Sequence, residues 1–109
     1  MARFIGAYLW ENEVISSAAV SQSVEILLVN NYAVELSWTD NSSSGASLVV
    51  QASNTGEIWN DISGTTIGIS GTGSQIFDFW QAGYRHFRVS ASISSGSITT
   101  TVFYYGKGA

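Results

Sequence analysis

Leu48-Val49-Val50-Gln51-Ala52-Ser53-Asn54-Thr55-Gly56-Glu57-Ile58-Trp59 reads as strand, tight turn, strand, with a tryptophan fixed just past the turn. Leu48, Val50 and Ala52 alternate with Ser47, Gln51 and Ser53, so one face of the first strand can be buried. Asn54-Thr55-Gly56 supplies the positive-φ position that a short hairpin loop requires. The stretch identifies a fold and no chemistry, so function has to be argued from surfaces and exclusions.

Moving outward, Tyr32, Val34, Leu36 and Trp38 alternate with Ala33, Glu35, Ser37 and Thr39, which puts four large apolar groups on one face of a central strand. Phe87, Val89, Ala91 and Ile93 do the same against His86, Arg88, Ser90 and Ser92, and the two apolar sets are expected to face each other across a sandwich. Gly, Ser, Thr and Asn clusters punctuate the chain between short β-branched and aromatic runs, and proline is absent. This rhythm predicts strands near Phe4 to Trp10, Val20 to Leu28, Tyr32 to Thr39, Ser47 to Ser53, Trp59 to Ile62, Gln75 to Phe79, Tyr84 to Ile93 and Ser97 to Tyr105. Val14 to Ala19 could pass for a helical turn on its alanines, although Val, Ile and Ser weaken that reading. The expected architecture is an all-β antiparallel sandwich of the jelly-roll kind with about eight strands. Neither Asn41 to Ala46 nor the glycine-rich Gly64 to Gly73 is long enough for an interdomain linker, so residues 1–109 are read as one domain, with 1–20 an N-terminal arm or edge strand.

In a chain of 109 residues, only 11% are charged and 45% are hydrophobic, so Ser, Thr, Asn and Gly must dress the surface. Such a surface repels its own copies weakly, which suits a protein held against neighbours. With a net charge of −4 and Arg3, Arg85, Arg88 and Lys107 as its fixed cations, the chain has no basic stripe to neutralise a row of phosphates, and nucleic acid is not an expected partner. The lack of cysteine excludes disulfides, thiolate metal sites and thiol nucleophiles. The short apolar run at Met1 to Trp10 makes a poor signal peptide, and Ile26-Leu27-Leu28-Val29 is too short to span a bilayer, so membrane insertion is not expected.

No catalytic, metal or cofactor-binding residue emerges. His86 is the lone histidine and has no cysteine or second histidine with which to hold zinc. No serine sits in a nucleophile elbow. Glu11 with Glu13, or Asp61 with Asp78, supply carboxylates by type only. Asp40-Asn41-Ser42 lacks the ligand count calcium needs. The glycines at 64, 68, 71 and 73 lack the lysine and helix of a phosphate cradle, and turn chemistry accounts for them better.

The aromatic residues exceed what one core layer hides. Trp38 and Trp59 fit the inward pattern, whereas Trp10, Trp80 and Phe103-Tyr104-Tyr105 lie near strand ends, where rings can pack on another protein or stack on sugars. Phe4, Ile5, Tyr8, Trp10, Phe103 and Tyr105 are therefore the candidate protein interface. Trp10, Trp80, Tyr104 and Tyr105 are the candidate glycan-stacking set.

Val50-Gln51-Ala52-Ser53-Asn54-Thr55-Gly56 followed by Trp59, together with Tyr84-Arg85-His86-Phe87-Arg88-Val89, resembles motifs of discoidin-like β-sandwich domains, with Thr55 where an Asp is expected. The span from Tyr32 to Lys107 is more similar to small β-sandwich proteins of tailed and marine bacteriophages. It shares with them Tyr32-Ala33-Val34-Glu35-Leu36-Ser37-Trp38-Thr39, Ser94-Ser95-Gly96-Ser97 and the closing Gly106-Lys107-Gly108. The resemblance implies a non-enzymatic, capsid-associated, decoration or fibre component of a virion. Such a component would form a homo-oligomer or contact a phage shell protein, and the discoidin-like motif keeps a carbohydrate- or receptor-binding module as the alternative.

Overall fold

Period-two patterning governs the centre of the molecule. In the computed structural model, which describes residues 3–25, 31–80 and 85–108, Tyr32, Val34, Leu36 and Trp38 all point inward from one strand. Phe87, Val89 and Ala91 point inward from a strand in the opposing sheet. The two expected faces meet directly: the Tyr32 and Phe87 rings stack with centroids 4.6 Å apart and planes 14° apart. Ile93 falls just beyond the second strand and is half-buried.

In chain order the strands are β1 (Arg3–Ile15), β2 (Ala19–Val20), β3 (Val24–Glu25), β4 (Asn31–Thr39), β5 (Ser47–Ser53), β6 (Asn60–Asp61), β7 (Ile67–Gly68), β8 (Gly73–Trp80), β9 (His86–Ser92) and β10 (Ile98–Gly108). One antiparallel sheet runs β1-β10-β4-β8. The other runs β2-β9-β5-β6, with β3 also on β9 and β7 also on β5. Since β2 and β3 follow one another along β9, and β6 and β7 along β5, each pair fills one interrupted strand position. With the positions counted that way, the first strand lies beside the last and the second beside the next to last, which is the connectivity of a jelly roll.

The two interruptions are repaired alike. Between β2 and β3, Ser21 donates its N–H to the Val89 carbonyl at 2.8 Å, and its Oγ accepts the Val89 N–H at 2.8 Å. Between β6 and β7, the Ile62 N–H reaches the Val50 carbonyl at 2.8 Å and Thr65 Oγ1 accepts the Val50 N–H at 3.2 Å. Both hydroxyl residues are buried, so each stands in for a missing ladder partner where water cannot. Ser21→Ala and Thr65→Val should each cost about 1–3 kcal/mol in chemical denaturation, because each strands a buried amide. A loss below a few tenths would mean that water already serves these amides.

The structure departs from the expected elements in several places. β1 continues past Trp10 to Ile15 as an edge strand on β10, so Val14 to Ala19 is strand and bend rather than a helical turn. β7 lies inside the glycine-rich segment whose glycines read as turns. The strand expected over Val20 to Leu28 is the broken β2 and β3, and its residues 26–28 lie outside the described residues, as does Tyr84. The β5–β6 turn has Gly56 at φ 83°, as its sequence requires. Ser53 Oγ accepts the Gly56 N–H at 2.8 Å, and Thr55 Oγ1 accepts the N–H groups of Glu57 and Ile58, each at 3.1 Å.

Candidate functional site

The outer face of the β1-β10-β4-β8 sheet is where exposed aromatic surface collects. Its residues follow from register: Tyr8 pairs with Phe103, Phe103 with Glu35, and Glu35 with Ile76, while Gly6 pairs with Tyr105, Tyr105 with Ala33, and Ala33 with Asp78. The Tyr8 and Phe103 rings meet edge to face at 4.9 Å. Gly6 makes room for this arrangement. A Cβ there would stand 3.0 Å from Phe103 Cζ and 3.3 Å from Tyr105 Cδ2, so both rings lean over a strand that offers them no side chain. Tyr8 and Tyr105 remain about half exposed (49% and 48%), and Ile76 more so at 58%.

Three of the six expected interface residues, Tyr8, Phe103 and Tyr105, are thus brought together. Phe4 and Ile5 pair with Lys107 and Gly106 in the backbone register, but their side chains lie outside the described residues. Trp10 does not join them, a correction to the sequence reading: register slips between Tyr8 and Trp10 turn Leu9 and Trp10 both into the core, leaving Trp10 9% exposed. A bulge re-aims a side chain in this way, and strict alternation would have put Trp10 outside.

Of the residues expected to stack on glycan, Trp10 and Tyr104 are in the core and Trp80's side chain lies outside the described residues. Tyr104 follows Ile98, Thr100 and Val102 on the inward phase of β10 and sits edge-on to Phe87 at 5.4 Å. Burial holds its phenol above the ordinary value of 10.0. Only Tyr105 of that set is placed on the surface.

Trp59, expected in the core, is instead half-buried on the outer face of the other sheet. The Arg88 guanidinium stacks on it at 4.2 Å from the ring centroid. Arg88 Nε donates to Gln51 Oε1 at 2.9 Å, and Gln51 Nε2 donates to Asp61 Oδ1 at 2.9 Å, which ties β9, β5 and β6 across this face. The outward phase of Arg88 and Gln51 was legible in their strands; the position of Trp59, in the turn before β6, was not.

The remaining candidates have structural surroundings. His86 Nε2 and Arg85 Nε lie 3.9 and 4.0 Å from Glu25 Oε2, which fastens β3 to β9. Asn41 Oδ1 accepts the Ser43 N–H at 2.8 Å and the Ser43 hydroxyl, closing a local turn. Glu11 and Glu13 border a groove of about 380 Å³ shared with Tyr8, Trp10, Val20 and Gln22, both on the solvent side. Asp61 and Asp78 belong to opposite sheets.

No family model matches this chain, and no curated protein matches it in sequence. Solved structures do share its fold. The SPBc2 prophage-derived protein YomS superposes with a TM-score of 0.63 at 13% identity, covering 97% of this chain and 96% of that one. The VP2 subviral particle of infectious bursal disease virus gives 0.67 at 9% identity, over 97% of this chain and 32% of the VP2 chain. The PBSX exported protein XepA gives 0.57 at 12% identity, over 100% of this chain and 37% of that one. This chain therefore corresponds to about a third of the VP2 and XepA chains but to nearly all of YomS. At such identities the likeness defines the fold, an all-β sandwich found in both phage-derived and viral-particle proteins.

Proposed function

We propose that this protein is a non-enzymatic structural subunit of a phage or viral particle, acting through protein–protein contacts made by the outer face of the β1-β10-β4-β8 sheet. The observation that carries the reading is the grouping of Tyr8, Phe103 and Tyr105 over Gly6, on a surface otherwise composed mainly of hydroxyl and amide side chains. Half-exposed aromatic rings already held against one another lose little conformational freedom on binding, and aromatic residues dominate interface cores. A partner sheet laid on this face would cover the rings along two neighbouring strands. A stable contact asks for about 800 Å² per partner. Fold-level likeness to VP2, solved as a subviral particle, and to two prophage proteins supports the same reading.

The partner is a second copy or a shell protein. Light scattering on a sizing column tests the first: the full chain should run as an oligomer, and the double variant Tyr8→Ser, Tyr105→Ser should run at lower mass while keeping its β-sheet circular dichroism. An unchanged oligomer in the folded double variant would remove this face from the assembly. A wild-type chain that stays monomeric throughout a concentration series would rule out self-association and leave only the shell-protein partner.

A further inference from the structure

The four sheet edges are not equally protected. On the β2-β9-β5-β6 sheet, both edges are broken, among the described residues, into two-residue pieces too short to template another strand. β1 is long, but it carries two register slips, a left-handed Asn12 at φ 49° and the charges of Glu11 and Glu13, all of which discourage pairing. β8 has neither a register slip nor a left-handed residue. Over eight residues, Gly73 to Trp80, it keeps regular register with β4, contains no proline, carries Asp78 as its one charge and exposes Ile76. Among the described residues, β4 is its one strand neighbour.

We propose that the free edge of β8 pairs antiparallel with β8 of a second copy about a two-fold axis through Ile76, joining two four-stranded sheets into one. The sequence is self-complementary in that register. Ile76 meets its own counterpart, Ser74 meets Asp78, Gln75 meets Phe77 and Gly73 meets Phe79, giving a seam about 24 Å long at ~3.4 Å per residue. Each Asp78 then faces a hydroxyl donor rather than a like charge. Centring the axis on Phe77 would set Ile76 against Asp78, and centring it on Asp78 would set two carboxylates against each other. Phe77 and Phe79, which are only half-buried at this margin of the core, would gain cover from the added strand. A strand of unrelated sequence would satisfy the edge amides but not this register, so the occupant is a second copy. The proposal rests on the structural-subunit reading and names one contact through which the subunits join.

The chain's lack of cysteine allows a direct test. Ile76→Cys under mild oxidation should give a disulfide-linked dimer on a non-reducing gel, because directly opposed residues lie within disulfide reach. Ser74→Cys or Asp78→Cys alone should not, each being about 14 Å from its own counterpart, whereas a mixture of the two should cross-link. Ile76→Lys should lower the solution mass with Tyr8, Phe103 and Tyr105 intact. If the wild type is oligomeric while Ile76→Cys fails to cross-link and Ile76→Lys keeps the full mass, the β8 seam is wrong and the subunit reading stands. Equal cross-linking of Ile76→Cys and Ser74→Cys would likewise overturn the seam, as random collision. A wild type that is monomeric at every concentration, with no specific cross-link, would overturn both the seam and self-association.

Discussion

Phe87→Ala should cost about 3–5 kcal/mol, the range for deleting a large aromatic side chain from a packed core. Phe87 is fully buried in β9 and is one of the residues through which the two sheets pack. Its ring stacks on Tyr32 of β4, which stacks in turn on Phe79 of β8 at 4.8 Å, and Tyr104 of β10 meets Phe87 edge-on. Truncation would leave a cavity facing the Tyr32 and Tyr104 rings, which cannot collapse into it without moving their strands. Domains of this size hold about 5–15 kcal/mol in total, so the loss approaches half of it. The expected drop in midpoint is on the order of 20 °C, given ~4–8 °C per kcal/mol in small domains. Phe87→Leu, which keeps most of the volume, should recover most of the loss. A denaturation series that put Phe87→Ala within about 1 kcal/mol of wild type would mean that the sheets do not meet at this ring.

The inward face of that aromatic group could be read from the chain because β4 and β9 alternate strictly, and alternation is a local property of the sequence. Tyr104 belonged to the same readable pattern: it continues Ile98, Thr100 and Val102, and grouping it with Phe103 and Tyr105 as a surface cluster overlooked that phase. Trp10 was not readable. Its inward turn depends on a bulge, and the bulge depends on how β1 sits on β10. Asn12 helps set that geometry, its N–H reaching Thr101 Oγ1 at 3.0 Å from the far end of the chain. The proposed interface face has the same character. Tyr8, Phe103 and Tyr105 could each be suspected from composition and position, but the pairing of the first strand with the last is what joins them, and no local pattern encodes it. Gly6 carries no signal at all until the rings above it are seen. β7 was missed for a simpler reason: two residues among glycines are too few to show a period, and the gap between β6 and β7 is filled in part by the Thr65 hydroxyl.

The geometry that holds β10 in place predicts the second large effect. Gly96→Ala should destabilise the protein by about 3 kcal/mol or more, whereas Gly64→Ala should cost only about 1–2 kcal/mol. Both glycines have positive φ, 77° and 82°, so both substitutions carry the left-handed penalty of an L-residue. They differ in what surrounds them. Nothing lies within 4 Å of a Cβ at Gly64, but a Cβ at Gly96 would stand 2.1 Å from the Ser42 carbonyl oxygen and 2.9 Å from Ser43 Cα, all of it backbone. The β9–β10 turn must therefore pull away from the β4–β5 loop. That movement would break the bonds joining them: Ser42 N–H to the Ser97 carbonyl and Ser44 N–H to the Ser95 carbonyl, each 2.9 Å, and Ser94 N–H to the Ser44 carbonyl at 3.0 Å. These bonds tie the turn that leads into β10, the strand that presents Phe103 and Tyr105. Gly96→Ala should accordingly speed amide exchange at Ser42, Ser44 and Ser94 and weaken the proposed assembly, and Gly64→Ala should do neither. Equal midpoints for the two variants would mean that the loops are not in contact and that the penalty is conformational alone.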